Sequence, residues 1–287
     1  MLGLGLTVTK PFEGESFVGV LDTYSGAAAA VSLRRLTGSY SGPAITVRSA
    51  GGGTPKDIGF DANGDLDTAA LLLHCGGNSG FVTDWYDQSG NGRRFSQGDA
   101  SKQPQIVDSG SVITAGAQGK PALRFVKSEA YEMDFGTTIT GVDDWYFVSA
   151  IESNQGTSSS TGVLINSLQD DGGEDHRIRI TSGGDTQVRI GGGASLAASS
   201  ALTNGTGAIY AVQRDGSNNV SQFVNAGSAV GTGSKTGDWK AFRLLGRNAA
   251  GGTSLFLNSD VQELIFYNSI QSSRVAIETD LKNYYVG

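Results

Sequence analysis

The 287-residue chain contains one cysteine, Cys75. No internal disulfide can form, so a cross-linked scaffold with little core is excluded. Histidine is scarce as well: His74 and His176 are the two present, and a metal centre built on several histidines would need both. No run approaches the roughly 18 apolar residues of a membrane-crossing helix. Positive charge is in deficit, 21 Lys and Arg against 28 Asp and Glu for a net −7, and it is scattered. Phosphate neutralisation needs clustered cations, so no nucleic-acid partner is expected, and the acidity serves solubility.

Glycine, in contrast, is abundant. The 43 glycines make roughly 15% of the chain against ~7% in ordinary proteins. They follow no triplet period, and 38% of residues are hydrophobic, which excludes collagen and disorder and allows a packed core. The length suits one large all-β unit. The first residues, MLGLGLTVTK, lack the positive start and small-residue cleavage site of a secretion signal. Their Leu2, Leu4, Leu6, Val8 alternation predicts an extended arm over residues 1–18, ahead of one domain at 19–287. Export by some route other than a secretion signal, such as an assembled particle or cell lysis, is the expectation.

Helical signals are confined to three short places. Ser25–Leu36 is alanine-rich behind a serine, Asp67–Cys75 has an acidic start and Gly76-Gly77 after its end, and Ser273–Tyr285 places Ile277, Leu281 and Tyr284 on one face. The remaining periodic segments are short and rich in β-branched and aromatic residues: Ala44–Arg48, Phe81–Tyr86, Ala122–Val126, Trp145–Ile151, Arg177–Thr181, Gln187–Ile190, Ile209–Arg214, Ser221–Asn225, Phe242–Leu245 and Val261–Tyr267. Between YAVQR and VSQFVN, the run Asp215 to Asn219 predicts a hairpin turn. The fold class is therefore all-β: an antiparallel β-sandwich or jelly roll with a few short docked helices.

Several side-chain groups carry chemistry. Asp61, Asn63, Asp65 and Asp67 alternate as calcium-loop ligands do, although Leu66 and Leu72 stand where an EF-hand needs glycine and glutamate. A turn capping the next helix is the competing expectation. Asp87 and Asn91, in DQSGNG, are expected to hold a tight turn through backbone bonds. The densest charged cluster runs from Asp170 and Asp171 through Glu174, Asp175 and His176 to Arg177, a source of acid–base groups or a solvated loop. Trp85 and Trp145 are expected in the core, while Trp239, after Gly237-Asp238, is the aromatic best placed to stack on a sugar. A low-level glycan site of Trp239, Asp175, His176 and Arg177 follows. Glu263 should face inward on a strand with a structural partner.

The ordered blocks DTYSGAAAAVSLRRL (residues 22–36), DIGFDANGDLDTAAL (57–71), WYDQSGNG (85–92), QPQIV (103–107), GKPALRF (119–125) and SDVQELIFYN with the helix after it resemble a known module. It is the concanavalin A-like, laminin-G-type jelly roll of the arabinofuranosidase B catalytic domain and of stand-alone copies in bacteriophage structural proteins. The resemblance covers residues 20–287 and implies that fold. It also implies a nucleophilic glutamate and an acid/base aspartate, which a retaining glycosidase holds about 5 Å apart. The corresponding stretches here, Val188–Ser195 and Leu245–Gly252, contain no carboxylate, Asn248 standing near the aspartate's place, and an adjacent cysteine pair is missing. The leading expectation from these losses is a non-enzymatic virion component with no catalytic residues: a capsid decoration, tail or fibre part, homo-oligomeric and trimeric in a fibre, with weak adhesion to cell-surface glycan. A bacterial-surface or extracellular location is the alternative. The competing functions are a glycoside hydrolase using acids among Asp170, Asp171, Glu174, Asp175 and Glu263, or a calcium-dependent lectin.

Overall fold

A computed structural model describes residues 17–155, 161–167, 176–181, 183–191, 194–199, 201–246 and 255–287. The predicted N-terminal arm therefore lies almost wholly outside the described residues. The strands pair antiparallel throughout and stack in two layers, as expected of the fold class. The first layer runs, neighbour to neighbour, through Lys56–Ile58, Ile45–Ser49, Gly80–Tyr86, Arg94–Ser96, Met133–Gly141, Trp239–Leu244, Gly162–Asn166, Arg177–Ile180, Thr186–Arg189 and Leu196–Ala198. The second runs through Ala229–Ser234, Asn219–Val224, Gly207–Arg214, Trp145–Ser153 and Ser259–Tyr267, whose far edge receives both Ala27–Ser32 and Leu123–Phe125.

Alternation explains the layering. Along Ile45–Ser49 and Met133–Phe135 buried and half-buried residues alternate, so one face packs inward and the other looks out. The inward faces meet in one core that includes Trp85, Phe95, Phe135, Trp145, Phe147, Trp239 and Phe266. The second layer is apolar on its outer face too, because the helix Arg274–Tyr285 covers it: Ile277, Leu281 and Tyr285 pack with Ala30, Val148, Ile209 and Ile265. Tyr285, not the expected Tyr284, completes the buried stripe, at 1% exposure. The first layer has no such helix over its outer face among the described residues.

One expected helix is a strand. Ala27–Ser32 pairs with Glu263–Tyr267 instead of coiling, in spite of its alanines. Tertiary context overrides propensity here: Ala27 and Ala30 lie against the C-terminal helix while Ala29 and Val31 enter the main core. Small side chains let a strand fit between a helix and a core. The other two helices form as expected. Asp67 caps Thr68–Cys75 by accepting from the Ala70 amide at 2.9 Å, and Gly76 closes it in the left-handed conformation at φ 57°. The hairpin turn also forms, with Asp215 Oδ1 accepting from the Ser217 and Asn219 amides, both at 2.9 Å.

Candidate functional site

The outer face of the first layer carries a continuous polar row. Residues directly opposite each other in antiparallel strands project to the same side. The register therefore aligns Asp57, Thr46, Asp84, Ser96, Asp134, Arg243, Asn166, Arg177 and Arg189 across the sheet, one from each successive strand. Local sequence places some of them there through apolar strand neighbours: Asp134 stands between buried Met133 and Phe135, and Thr46 between buried Ile45 and Val47.

Hydrogen bonds knit much of the row together. The Thr46 hydroxyl donates to Asp57 Oδ1 at 2.6 Å, and the Ser96 hydroxyl to Asp84 Oδ1 at 2.7 Å. Arg94 Nε also reaches Asp84 Oδ1, at 3.2 Å. At the centre, Arg243 donates from Nε and Nη2 to the two oxygens of Asp134, at 2.6 and 2.9 Å, and its Nη1 lies 3.1 Å from Glu132 Oε2. Lys102 Nζ donates to the other oxygen of Glu132 at 3.3 Å. Burial opposes the charge of Arg243, but the Asp134 bonds and the two nearby carboxylates outweigh it and hold the guanidinium above its usual range.

These groups are sunk rather than fully solvated. Side-chain exposure is 21% for Asp84, 33% for Asp134 and 14% for Arg243, and Asn166 and Arg177 are buried. Asn166 Oδ1 has no hydrogen-bond partner among the described residues. The half-exposed part of the row, with its carboxylates, guanidinium and hydroxyls, offers donors and acceptors of the kind that sugar hydroxyl groups use. Sequence reading alone misses this row, although a charged residue between two core residues of a strand, as at Asp134, is a usable signal.

The sequence candidates fare unevenly. Asp170, Asp171, Glu174 and Asp175 lie outside the described residues. Arg177 stands in the row. His176 is fully buried and turns away into structure, its Nδ1 accepting from the Gly191 amide at 3.2 Å. Trp239 requires correction: it is 2% exposed and stacked on Trp145 with ring centroids 4.7 Å apart, so both faces belong to the core and none is open to a sugar. Trp85 and Trp145 are core residues as expected.

Asp61, Asn63, Asp65 and Asp67 do not converge on a cation. Asp61 Oδ1 accepts from the Asn63 and Asp65 amides at 2.8 and 3.0 Å, Asp67 caps its helix, and Asp65 pairs with Lys120 Nζ at 3.1 Å and accepts from the Tyr284 hydroxyl. Each carboxylate has its own structural partner, which removes the basis for a shared ion. Among the described residues no group of three or more His, Cys, Asp or Glu is placed to hold a metal.

Asp87 and Asn91 hold their turn as expected and also tie it to the first strand. Asp87 Oδ1 accepts from the Ala30 and Ser89 amides at 2.8 and 2.9 Å, and Asn91 donates to the carbonyls of Ala27 and Ala28 at 3.1 Å. Glu263 has its structural partner in Arg34, with bonds of 2.8 and 3.2 Å, and also accepts from the Ser32 and Tyr285 hydroxyls. It sits between the layer and the C-terminal helix, away from the polar row.

No protein-family model and no curated protein matches the sequence. Solved structures do match the fold. A crystal structure of arabinofuranosidase complexed with arabinofuranosyl-alpha-1,2-xylobiose superimposes with a TM-score of 0.67 at 17% identity, covering 93% of this chain and 65% of that one. A GH54 α-L-arabinofuranosidase soaked with a cyclic sulfate inhibitor gives 0.68 at 16% identity with the same coverage. A glutamate-to-glutamine mutant of a GH54 α-L-arabinofuranosidase, soaked with 4-nitrophenyl α-L-arabinofuranoside, gives 0.68 at 17% identity. The chain thus spans about 65% of the length of these proteins. The arabinofuranosidase-like jelly roll is established by these matches. They also correct two expectations. The virion role is set aside, because the matched structures are arabinofuranosidases and nothing in them is a phage component; the non-enzymatic assignment falls with it, because the proteins that share this fold over 93% of the chain are glycosidases.

Proposed function

We propose that this chain is a glycoside hydrolase acting on arabinofuranosyl-bearing polysaccharide, with the polar row as the floor of its sugar-binding groove. The observation that carries the proposal is the row itself, centred on Asp134 and Arg243 and set on the outer face of one layer of an arabinofuranosidase-like sandwich. Asp134, locked by Arg243, would bind and orient a sugar through its outer lone pairs.

Cleavage needs two carboxyl groups flanking the glycosidic bond, one to protonate the leaving oxygen and one to attack or to activate water. The stretches corresponding to the family's catalytic segments contain none. The proposed source is the acidic segment of Asp170, Asp171, Glu174 and Asp175. The chain leaves the row at Asn166 and re-enters it at Arg177, so that segment begins and ends at the groove. Glu263 is excluded from the role, since both of its oxygens are bound by Arg34 inside the fold.

Incubating the full chain with arabinan and with arabinoxylan, then separating released sugars by anion-exchange chromatography, tests the proposal. Free arabinose, diminished in Asp171→Asn or Glu174→Gln variants, is the expected product. No released sugar from either polymer would sink the hydrolase reading.

A further inference from the structure

A cavity of about 430 Å³ opens where three turns meet, at residues 21–27, 37–40 and 88–90. That volume lies toward the lower end of the roughly 300–1,000 Å³ of small-ligand pockets. The third turn belongs to DQSGNG, and its Gln88 fixes the wall: it accepts from the Leu36 amide at 2.8 Å and donates to the Ser32 and Arg34 carbonyls at 3.2 and 2.9 Å. Asp22 ties the other two turns together. Its Oδ1 accepts from the Thr37 hydroxyl at 2.6 Å, and its Oδ2 from the Gly19 and Gly38 amides at 2.8 and 2.7 Å. The cavity is therefore held in shape by the chain's own bonds, and no residue of the polar row lines it.

Hydroxyl groups set its chemistry. The Thr37 proton goes to Asp22, so the Ser39 hydroxyl, 3.0 Å from Thr37, donates to it and keeps its own lone pairs. Tyr40 donates to the Pro43 carbonyl at 2.8 Å and likewise keeps an acceptor oxygen. Ser25, exposed on the lining, adds another hydroxyl. Such a wall suits a ligand that brings several O–H donors of its own. Asp22 is the one charged side chain on the lining among the described residues. An anion would meet that carboxylate with no Lys, Arg or His there to hold it, and a cation would compete with three donors already seated on it. An apolar ligand would leave the hydroxyls unmatched. We propose that this cavity is a binding pocket for a neutral mono- or disaccharide, separate from the polar row. The proposal goes beyond the hydrolase reading and does not depend on it, since binding there needs no catalytic carboxyl group.

Calorimetric titration of the full chain with the methyl glycosides of galactose, glucose, mannose and xylose, and with lactose and cellobiose, tests it beside glucuronate and glucosamine. At least one neutral sugar should bind, and more tightly than either charged one. Ser39→Ala removes one acceptor and should weaken that binding by about three- to tenfold. Ser39→Trp puts an indole at the cavity and should weaken it by more than about tenfold. Ser39 is exposed, so both variants should melt with the parent. No binding by any neutral sugar, tighter binding of glucuronate or glucosamine, or full affinity in a folded Ser39→Trp variant would overturn the proposal. Release of 4-nitrophenol from 4-nitrophenyl α-L-arabinofuranoside should be the same in Ser39→Trp as in the parent; its loss in that folded variant would overturn the separation of the two sites. A parent that binds the neutral sugar and releases no 4-nitrophenol supports the pocket while the hydrolase reading fails, and turnover without sugar binding does the reverse.

Discussion

Asp134 and Arg243 face each other in register on neighbouring strands and lock through two parallel hydrogen bonds of 2.6 and 2.9 Å. The pair is the centre of the polar row and also joins the strand Met133–Gly141 to Trp239–Leu244. Asp134→Asn keeps the shape and removes the charge. Chemical denaturation should show a loss of about 2 kcal/mol, and sugar affinity should fall with it. A variant as stable as the parent would show that the two bonds do not hold the strands.

Glu263 and Arg34 form the deeper ion pair. Glu263 is fully buried, and Arg34, burial notwithstanding, is held charged by the Glu263 carboxylate, its bonds, and the nearby Tyr285 and Asp280. Glu263→Gln leaves the guanidinium without its main counter-charge, and unfolding in urea should show a cost of about 3–5 kcal/mol. Sugar hydrolysis by the fraction still folded should persist, because the pair lies away from the row.

Trp239→Ala should cost about 3–5 kcal/mol through the cavity left against Trp145 and Phe266. The milder Trp239→Phe should fold and bind sugar as the parent does. Loss of sugar affinity in that folded variant, measured by titration, would return Trp239 to the binding site.

Asp22 ties the N-terminal turn to the loop after Leu36. Desolvation pushes its pKa up, but the Thr37 hydroxyl and the Gly19 and Gly38 amides outweigh that and hold the carboxyl below the usual aspartate range. The bound form is the carboxylate, so its stabilising effect is present above the unfolded-state pKa and disappears as pH falls through the lower folded value. Thermal melts of Asp22→Asn should therefore lie below the parent at neutral pH and converge with it in strong acid. A gap that stays constant across the acid range would contradict this assignment.

Much of the architecture is legible in local sequence. Asp67 and Gly76 bracket a helix, Asp215 and Asn218 make a hairpin turn, and the β-branched and aromatic residues of Val261 to Tyr267 mark a strand, because the forces involved act within a few residues. Ala27–Ser32 defeats the same approach: the partners that make it a strand, Glu263 to Tyr267, lie at the other end of the chain. Trp239 is misjudged for a related reason, since its polar neighbours Gly237 and Asp238 conceal that its ring stacks on Trp145. The polar row is the extreme case. Its members come one from each strand, and only register brings Asp84, Asp134, Arg243 and Asn166 into line.

The most direct measurement is the release of 4-nitrophenol from 4-nitrophenyl α-L-arabinofuranoside by the full chain, followed beside Asp134→Asn and Glu174→Gln. Steady turnover by the parent, reduced in both variants while their melting curves show them folded, is the expected result. No turnover by a folded parent, at any pH between the carboxylate and histidine ranges, would contradict the assignment of this groove to glycoside hydrolysis.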